Sequence, residues 1–379
     1  MINKKKIAFL TIGDISQIAT MKRALGMANP LHELGWQVSI IVMDSTENRN
    51  RIALECSQDI HIEYYQQCSF RDEPYVKTRL INEINPDFVY FCSFSPRNRL
   101  VKSILKGNPV LLIEHSELQS SITAEPLRKR IRFYLMELYS IIYAGGLICA
   151  SKYLDEYYRK LSRKLFRRLP LLYSPYAFNK NILSSKGGIV NGLLKRYQGR
   201  SILLYMGTLA RNYGLFSMLE AIKILSETKP ELLLLLIGKG RHWEEAKQYV
   251  KINHMESFVS FLGYIPEDEL SSYFGIAKYF ISPLNNSIQD KARCPSKIYM
   301  YLPFGKPILT SAVGEPKEIF REDGFYFEAE DPHTLVALVQ QLEDDPPDES
   351  THDKVELHSW EQRAADFDHW ITRFFKGEK

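Results

Sequence analysis

The sequence holds no CxxC pair and no HExxH, and its five cysteines (Cys56, Cys68, Cys92, Cys149, Cys294) are scattered and odd in number. That excludes a disulfide framework or a thiolate zinc site as the organising element. No apolar run approaches the ~20 residues that a membrane span needs. The lysines at 4–6 precede only a short run, Ile7 to Ile12, which reads as a first strand and not as a signal-peptide core. There is no low-complexity tract, and a net charge of +4 is too small to indicate nucleic acid by itself. These absences point to a protein of the reducing cytosol. With 379 residues, 45% apolar and 25% charged, the chain has material for two buried cores.

Short apolar runs alternate with amphipathic stretches. Lys6–Ile12, Gln37–Met43, Asp87–Cys92, Pro109–Ile113 and Gly146–Ala150 read as buried strands, with helical stretches such as Ala19–Leu34 and Leu127–Tyr143 between them. Strand followed by helix, repeated, implies right-handed βαβ units and a parallel sheet. Leu171–Phe178 and Ser184–Gly192 carry the Pro, Ser, Gly and Asn of a linker. A second series follows: strands at Ser201–Met206, Leu232–Ile237, Phe258–Leu262, Tyr279–Ser282, Pro307–Thr310 and Gly324–Phe327, alternating with helices. An acidic break, Asp344–Asp353, precedes a last amphipathic helix, Trp360–Phe375. The fold class is therefore α/β with two successive Rossmann-like halves: residues 1–180, completed by a C-terminal helix at 359–377, and residues 196–358.

Four segments of the second half have the composition of ligand-holding turns. They are Tyr205-Met-Gly207-Thr208-Leu-Ala-Arg211-Asn-Tyr-Gly214, Ile237-Gly238-Lys239-Gly240, Phe261-Leu-Gly263-Tyr264-Ile265-Pro266 with Glu269-Leu270, and Cys294-Pro295-Ser296-Lys297-Ile-Tyr-Met300-Tyr-Leu-Pro-Phe-Gly-Lys-Pro307. A diphosphate needs backbone N–H groups, a helix start and cations around it. Gly207, Gly238, Gly240 and Gly263 leave the main chain bare for such an approach. Pro295-Ser296 suits a helix start, and Arg211 and Lys297 would stabilise a leaving diphosphate.

In this order the four segments resemble those of the family 4 retaining glycosyltransferases. The resemblance implies the GT-B architecture: two Rossmann-like domains whose parallel sheets face each other across a cleft, with the C-terminal helix returning to the first. It also implies a nucleotide-sugar as co-substrate, held by Gly13, Gly207, Thr208, Gly238, Gly240, Tyr264, Ile265, Pro295, Ser296 and Met300, with no cofactor and no metal. His115, Arg211 and Lys297 take the catalytic positions, and Glu114, Glu117 and Asp290 the acceptor or donor-sugar side.

Four positions depart from that family. Its ribose-binding glutamate corresponds to Met300, which accepts hydrogen bonds poorly, and a second carboxylate near the transferred sugar corresponds to Ala292. Arg211 stands alone where the family commonly has an arginine at the position of Thr208 and a lysine at that of Tyr213. Glu328, Glu330 and Asp331 look like a metal cluster only superficially, because Asp331 followed by Pro332 reads as a helix N-cap.

Residues 126–170 hold eleven Lys and Arg against three acids, a local balance of +8, with Phe133, Tyr134, Tyr157, Tyr158 and Phe166 interleaved. That mixture suits an anionic membrane surface, and no nucleic-acid motif accompanies it. The first expectation is a metal-independent, retaining glycosyltransferase, cytoplasmic or peripheral on the inner face of the membrane. It would act on a glycan or lipid-linked saccharide in surface polysaccharide biosynthesis. The alternative is a catalytically silent relative that binds or stabilises a partner transferase. A nucleotide-sugar epimerase ranks below both.

Overall fold

A computed structural model describes residues 5–15, 21–123, 125–183, 187–347 and 355–375. The expected start of the first helix at Ala19, residues 184–186 of the expected linker, most of the acidic break and the last two residues of the C-terminal helix lie outside the described residues. The chain divides into two compact units: Met1–Ala177 with Ala292–Cys294 and His358–Lys379, and Phe178–Lys291 with Pro295–Leu357.

The first unit is a seven-stranded parallel sheet. Its strands are β1 (Lys6–Leu10), β2 (Gln37–Met43), β3 (His61–Tyr65), β4 (Phe88–Phe91), β5 (Val110–His115), β6 (Gly146–Cys149) and β7 (Leu171–Tyr173), in the order β3-β2-β1-β4-β5-β6-β7. Ile7 stands level with Val38 on one side and with Phe88 on the other. Both faces are covered, so the central strands are largely apolar, with Glu114 and His115 as buried polar residues at the end of β5. Helices Met21–Glu33 and Trp360–Phe375 cover one face. Gly26 and Gly146 make that fit possible: a Cβ on either would overlap the indole of Trp360 or Trp370. Helices Glu73–Ile84, Leu127–Tyr143 and Lys152–Lys164 contribute to the cluster on the other face.

The second unit is a six-stranded parallel sheet: β8 (Ser201–Met206), β9 (Leu232–Ile237), β10 (Val259–Gly263), β11 (Tyr279–Ser282), β12 (Ile308–Thr310) and β13 (Phe325–Tyr326), in the order β10-β9-β8-β11-β12-β13. In each sheet the winding reverses beside the first strand of the unit, between β1 and β4 and between β8 and β11. Open parallel sheets bind ligands at the carboxyl ends of strands at such a reversal.

Two expected linkers are structured instead. Leu171–Tyr173, between Pro170 and Pro175, is the edge strand β7, and Gly187–Arg196 is a helix. An edge strand tolerates flanking prolines because one side of it pairs with nothing. Asp331 is the N-cap of helix Pro332–Asp344, accepting the amide of His333 at 2.9 Å. Among the described residues no group of three His, Cys, Asp or Glu converges as metal ligands would, and no helix is long and apolar enough to cross a membrane.

Candidate functional site

In the second unit the turns after β8, β9 and β10 interlock through main chain. Gly207 N–H donates to Ile237 O at 2.9 Å, Gly238 N–H to Gly263 O at 2.6 Å, and Leu209 N–H to Lys239 O at 3.2 Å. A Cβ on Gly238 would stand 2.2 Å from Gly207 O, and one on Gly240 would stand 2.3 Å from Leu209 O. These two glycines were expected to open the main chain to a ligand. The side on which a Cβ would stand is filled by the neighbouring turn, so the close packing of these turns also requires glycine at both positions. Thr208 and Tyr264 are exposed, and Ile265 is half-buried beside Tyr264.

Cations gather at these strand ends. The Lys297 ammonium lies 4.0 Å from the Tyr205 ring centre. A Cβ on Gly207 would stand 2.9 Å from that nitrogen, so the lysine runs alongside this turn. Arg211 is exposed, pairs with Glu245 and has its guanidinium 4.2 Å from the centre of the Phe216 ring. Its amide donates to His242 Nδ1 at 3.2 Å. Arg241 donates to Asn212 Oδ1 at 3.2 Å and, with Lys239, adds exposed positive charge. Arg241 and Lys239 were not anticipated, although both sit within or beside the Gly238-Lys239-Gly240 turn.

Lys297 belongs to helix Ser296–Tyr301. Pro295 occupies its N-cap position without a side-chain cap, so Ser296 does not cap the helix as a serine there could. Met300 is buried. Its neighbours explain why this helix is apolar. Tyr301 stacks on Phe280 at 4.2 Å and takes the Met206 amide on its hydroxyl, and Tyr299 donates to Glu315 at 3.2 Å. Glu315 is a fully buried carboxylate that sequence reasoning missed; its only signal was the Gly314-Glu315-Pro316 turn. Asp290 is buried too, but its carboxylate takes the Asn285 amide at 2.7 Å and so holds its own loop.

In the first unit β5 ends in Glu114 and His115. Glu114 accepts from Tyr90 at 3.1 Å and faces Arg23 Nε at 2.9 Å. Arg23 also donates to the hydroxyl and carbonyl of Ser174, at 3.0 and 2.7 Å. Burial raises the Glu114 carboxyl and opposes the charge on Arg23, but each offsets part of the other's cost, and the guanidinium stays ionised. Glu114 therefore ties β5 to β7 and to helix Met21–Glu33, and does not reach outward as an acceptor contact.

His115 has both ring nitrogens occupied. Its Nε2 lies 2.9 Å from Ser140 Oγ and its Nδ1 lies 3.0 Å from the Tyr158 hydroxyl, with the two rings stacked at 4.2 Å. Ser140 donates its own proton to Glu137 O at 2.7 Å, so Nε2 carries the histidine proton and Tyr158 donates to Nδ1. Burial lowers the imidazole to about 3, which leaves it neutral. His115, expected to face a transferred sugar, thus has both ring nitrogens engaged by Ser140 and Tyr158.

The recess beside it has a volume of about 30 Å³ and is lined by His115, Glu114, Glu117, Phe133 and Glu137 among others. That is room for water, not for a sugar ring. Glu117 also lines the recess; part of its surface is exposed, but the crowding around its carboxyl raises it, an effect that the charge of nearby Arg293 partly offsets. The Gly13 turn after β1 is pinned by buried Asn48, which donates to Gly13 O at 3.2 Å and accepts from the Ile15 amide at 2.9 Å.

Comparisons with known proteins place this geometry. HepE of Anabaena, solved with UDP, aligns at a TM-score of 0.74 over 97% of this chain and 100% of that one, with 12% identity. Sucrose-phosphate synthase of Thermosynechococcus elongatus aligns at 0.77 over 99% and 100%, with 16% identity. The fold is GT-B. Within it, residues 194–356 match the family described as Glycosyl transferases group 1. The O-antigen chain mannosyltransferase B of Escherichia coli is 28% identical over 159 residues, which make up 40% of this chain and 40% of that protein. The match to the group 1 family spans β8 to β13, so the interlocked turns, Arg211 and Lys297 all lie inside it.

Proposed function

We propose that the chain is a retaining, metal-independent glycosyltransferase. It takes a sugar from a nucleotide-sugar and adds it to a glycan or lipid-linked saccharide in surface polysaccharide biosynthesis, on the inner face of the cell membrane. The observation that carries this reading is the Lys297 ammonium alongside the Gly207 turn at the carboxyl end of β8, inside the group 1 region. When the bond from the anomeric carbon to the diphosphate breaks, its electron pair leaves with the diphosphate. A fixed cation there stabilises the charge that develops, with Arg211 and Arg241 as further positive charge. Exposed Tyr264 offers a face for the base. Glu117, exposed beside the β5 terminus, is the group placed for acceptor hydroxyls, and His115 positions that terminus through Tyr158 and Ser140.

A second reading, a donor-binding relative without chemistry, draws on buried Met300 and on Asp290, whose carboxylate serves its own loop. Donor hydrolysis across a panel of uridine, guanosine, adenosine and thymidine diphosphate sugars, with and without a chelator, separates the two. Release of the diphosphate from one donor, undiminished by the chelator, is the expected result. Nucleotide binding without release selects the silent relative. Loss on chelation, restored by magnesium or manganese, sinks metal independence.

A further inference from the structure

Helix Leu127–Tyr143 is amphipathic in the reverse of the usual sense. Its inward face is polar in part: Glu137 and Ser140 are buried with Ile141, and Glu137 receives the amide and hydroxyl of Ser120. Its outward face is apolar. Leu127 is 67% exposed, Ile131 51%, Leu135 58% and Ile142 49%, with Tyr134 and half-buried Leu138 between them. Steps of three and four residues put these side chains in one stripe, about 22 Å long at 1.5 Å per residue. Exposed cations border the stripe: Arg128 and Arg132 stand a further 60–100° or so round the helix from its centre.

The neighbouring helix, Lys152–Lys164, extends the charge. Ten of the eleven cations between 126 and 170 are exposed, whereas two of the three acids, Glu137 and Asp155, are buried, leaving Glu156 as the exposed acid of the region. Just beyond that helix Phe166 is 96% exposed among Lys164, Arg167 and Arg168. A solvated helix face would carry its charge where the leucines and isoleucines stand.

We infer that helix Leu127–Tyr143 lies on an anionic lipid surface, with Leu127, Ile131, Leu135 and Ile142 in the acyl boundary and the surrounding lysines and arginines on the headgroups. Apolar depth and cationic rim together are what holds an interfacial helix, since neither alone anchors stably. The same helix turns Phe133 and Glu137 inward to line the recess beside His115. A chain docked this way presents the end of β5 close to lipid. The use of that placement for a lipid-linked saccharide rests on the transferase reading; the docking itself does not.

The test is flotation of the full chain, without donor, on vesicles of phosphatidylcholine alone or mixed with phosphatidylglycerol. Wild type floats with the mixed vesicles, and salt weakens the association. I131E/L135E reduces it at least about tenfold through lost apolar contact. R128E/R132E reduces it by about thirtyfold or more, at ~1 kcal/mol per cation removed. All four positions are exposed, so both variants keep the wild-type melting curve and donor hydrolysis. The inference is overturned if wild type ignores mixed vesicles, or if both folded variants float as well as wild type. It is equally overturned if wild type self-associates in buffer and I131E/L135E disperses it, which makes the stripe a contact between copies. Absent donor hydrolysis with intact flotation counts against the transferase reading alone.

Discussion

Lys297 holds its ammonium 4.0 Å from the Tyr205 ring centre, in the space that a side chain on Gly207 would need. One side chain thus reads two neighbours: the aromatic face keeps the cation in place, and the bare turn leaves it beside the strand end. Lys297→Met should lower the affinity for a nucleoside diphosphate by roughly tenfold or more, the scale of one charge-assisted contact, with little change in folding. Gly207→Ala, at a φ of 149°, should displace the same cation and weaken binding in the same direction. Calorimetric titration checks both. Unchanged affinity in Lys297→Met would show that the diphosphate is held elsewhere.

His115 makes a prediction about acid. Burial lowers its folded value to about 3 from an ordinary 6.5. Between those values the unfolded chain binds a proton that the folded chain does not, so acid favours unfolding. The contribution is fully present above the unfolded value and is lost as pH falls through the window, by at most about 1.4 kcal/mol per pH unit. Urea unfolding between about pH 5 and 7 should give a steeper loss for wild type than for His115→Gln. Both proteins retain Glu114 and Glu137, whose carboxyls burial raises, so the comparison cancels them. Equal slopes mean that the folded imidazole takes up protons freely.

Met300→Glu tests whether this position meets a ribose, as the proposed donor site requires. Met300 is buried on a helix with Tyr299 and Tyr301. A glutamate there is expected to enter apolar surroundings without a prepared partner and to cost roughly 2–4 kcal/mol of stability, with donor affinity unimproved. Chemical denaturation and nucleotide titration measure the two effects. Tighter nucleotide binding by a fully stable variant would mean that the side chain faces ribose after all, and that a lost contact has been restored.

Much of the frame was legible in the sequence because burial on both faces writes strands as uninterrupted apolar runs. Gln37–Met43 and Tyr279–Ser282 coincide with β2 and β11, and helices Leu127–Tyr143 and Trp360–Phe375 begin and end where their patterns do. Edges fared worse. β3 alternates His61 and Glu63 with partly buried residues, and β7 is three residues long between prolines, so neither leaves a run to read. The site followed the same division. Lys297, Arg211 and the turn glycines announced themselves through local motifs. The Arg23–Glu114 pair, the Tyr158–His115–Ser140 chain and the Tyr299–Glu315 contact join residues whose partnership only the folded chain reveals, and they give Glu114 and His115 partners that no local motif announced.

Three residues bear on how such a protein could be recombined. Ala292–Cys294 belong with the first unit, although Lys291 and Pro295 on either side belong with the second. Ser151 donates to the Ala292 carbonyl at 2.6 Å, and the Tyr176 amide to Cys294 Sγ at 3.3 Å. Together with the passages at 177–178 and 357–358, the backbone changes unit four times. A hybrid made by joining one continuous stretch from each of two parents would therefore carry a tripeptide matched to the wrong half, directly ahead of the helix that bears Lys297. Exchanging the two units between such chains calls for transplanting residues 292–294 along with the first unit they fit.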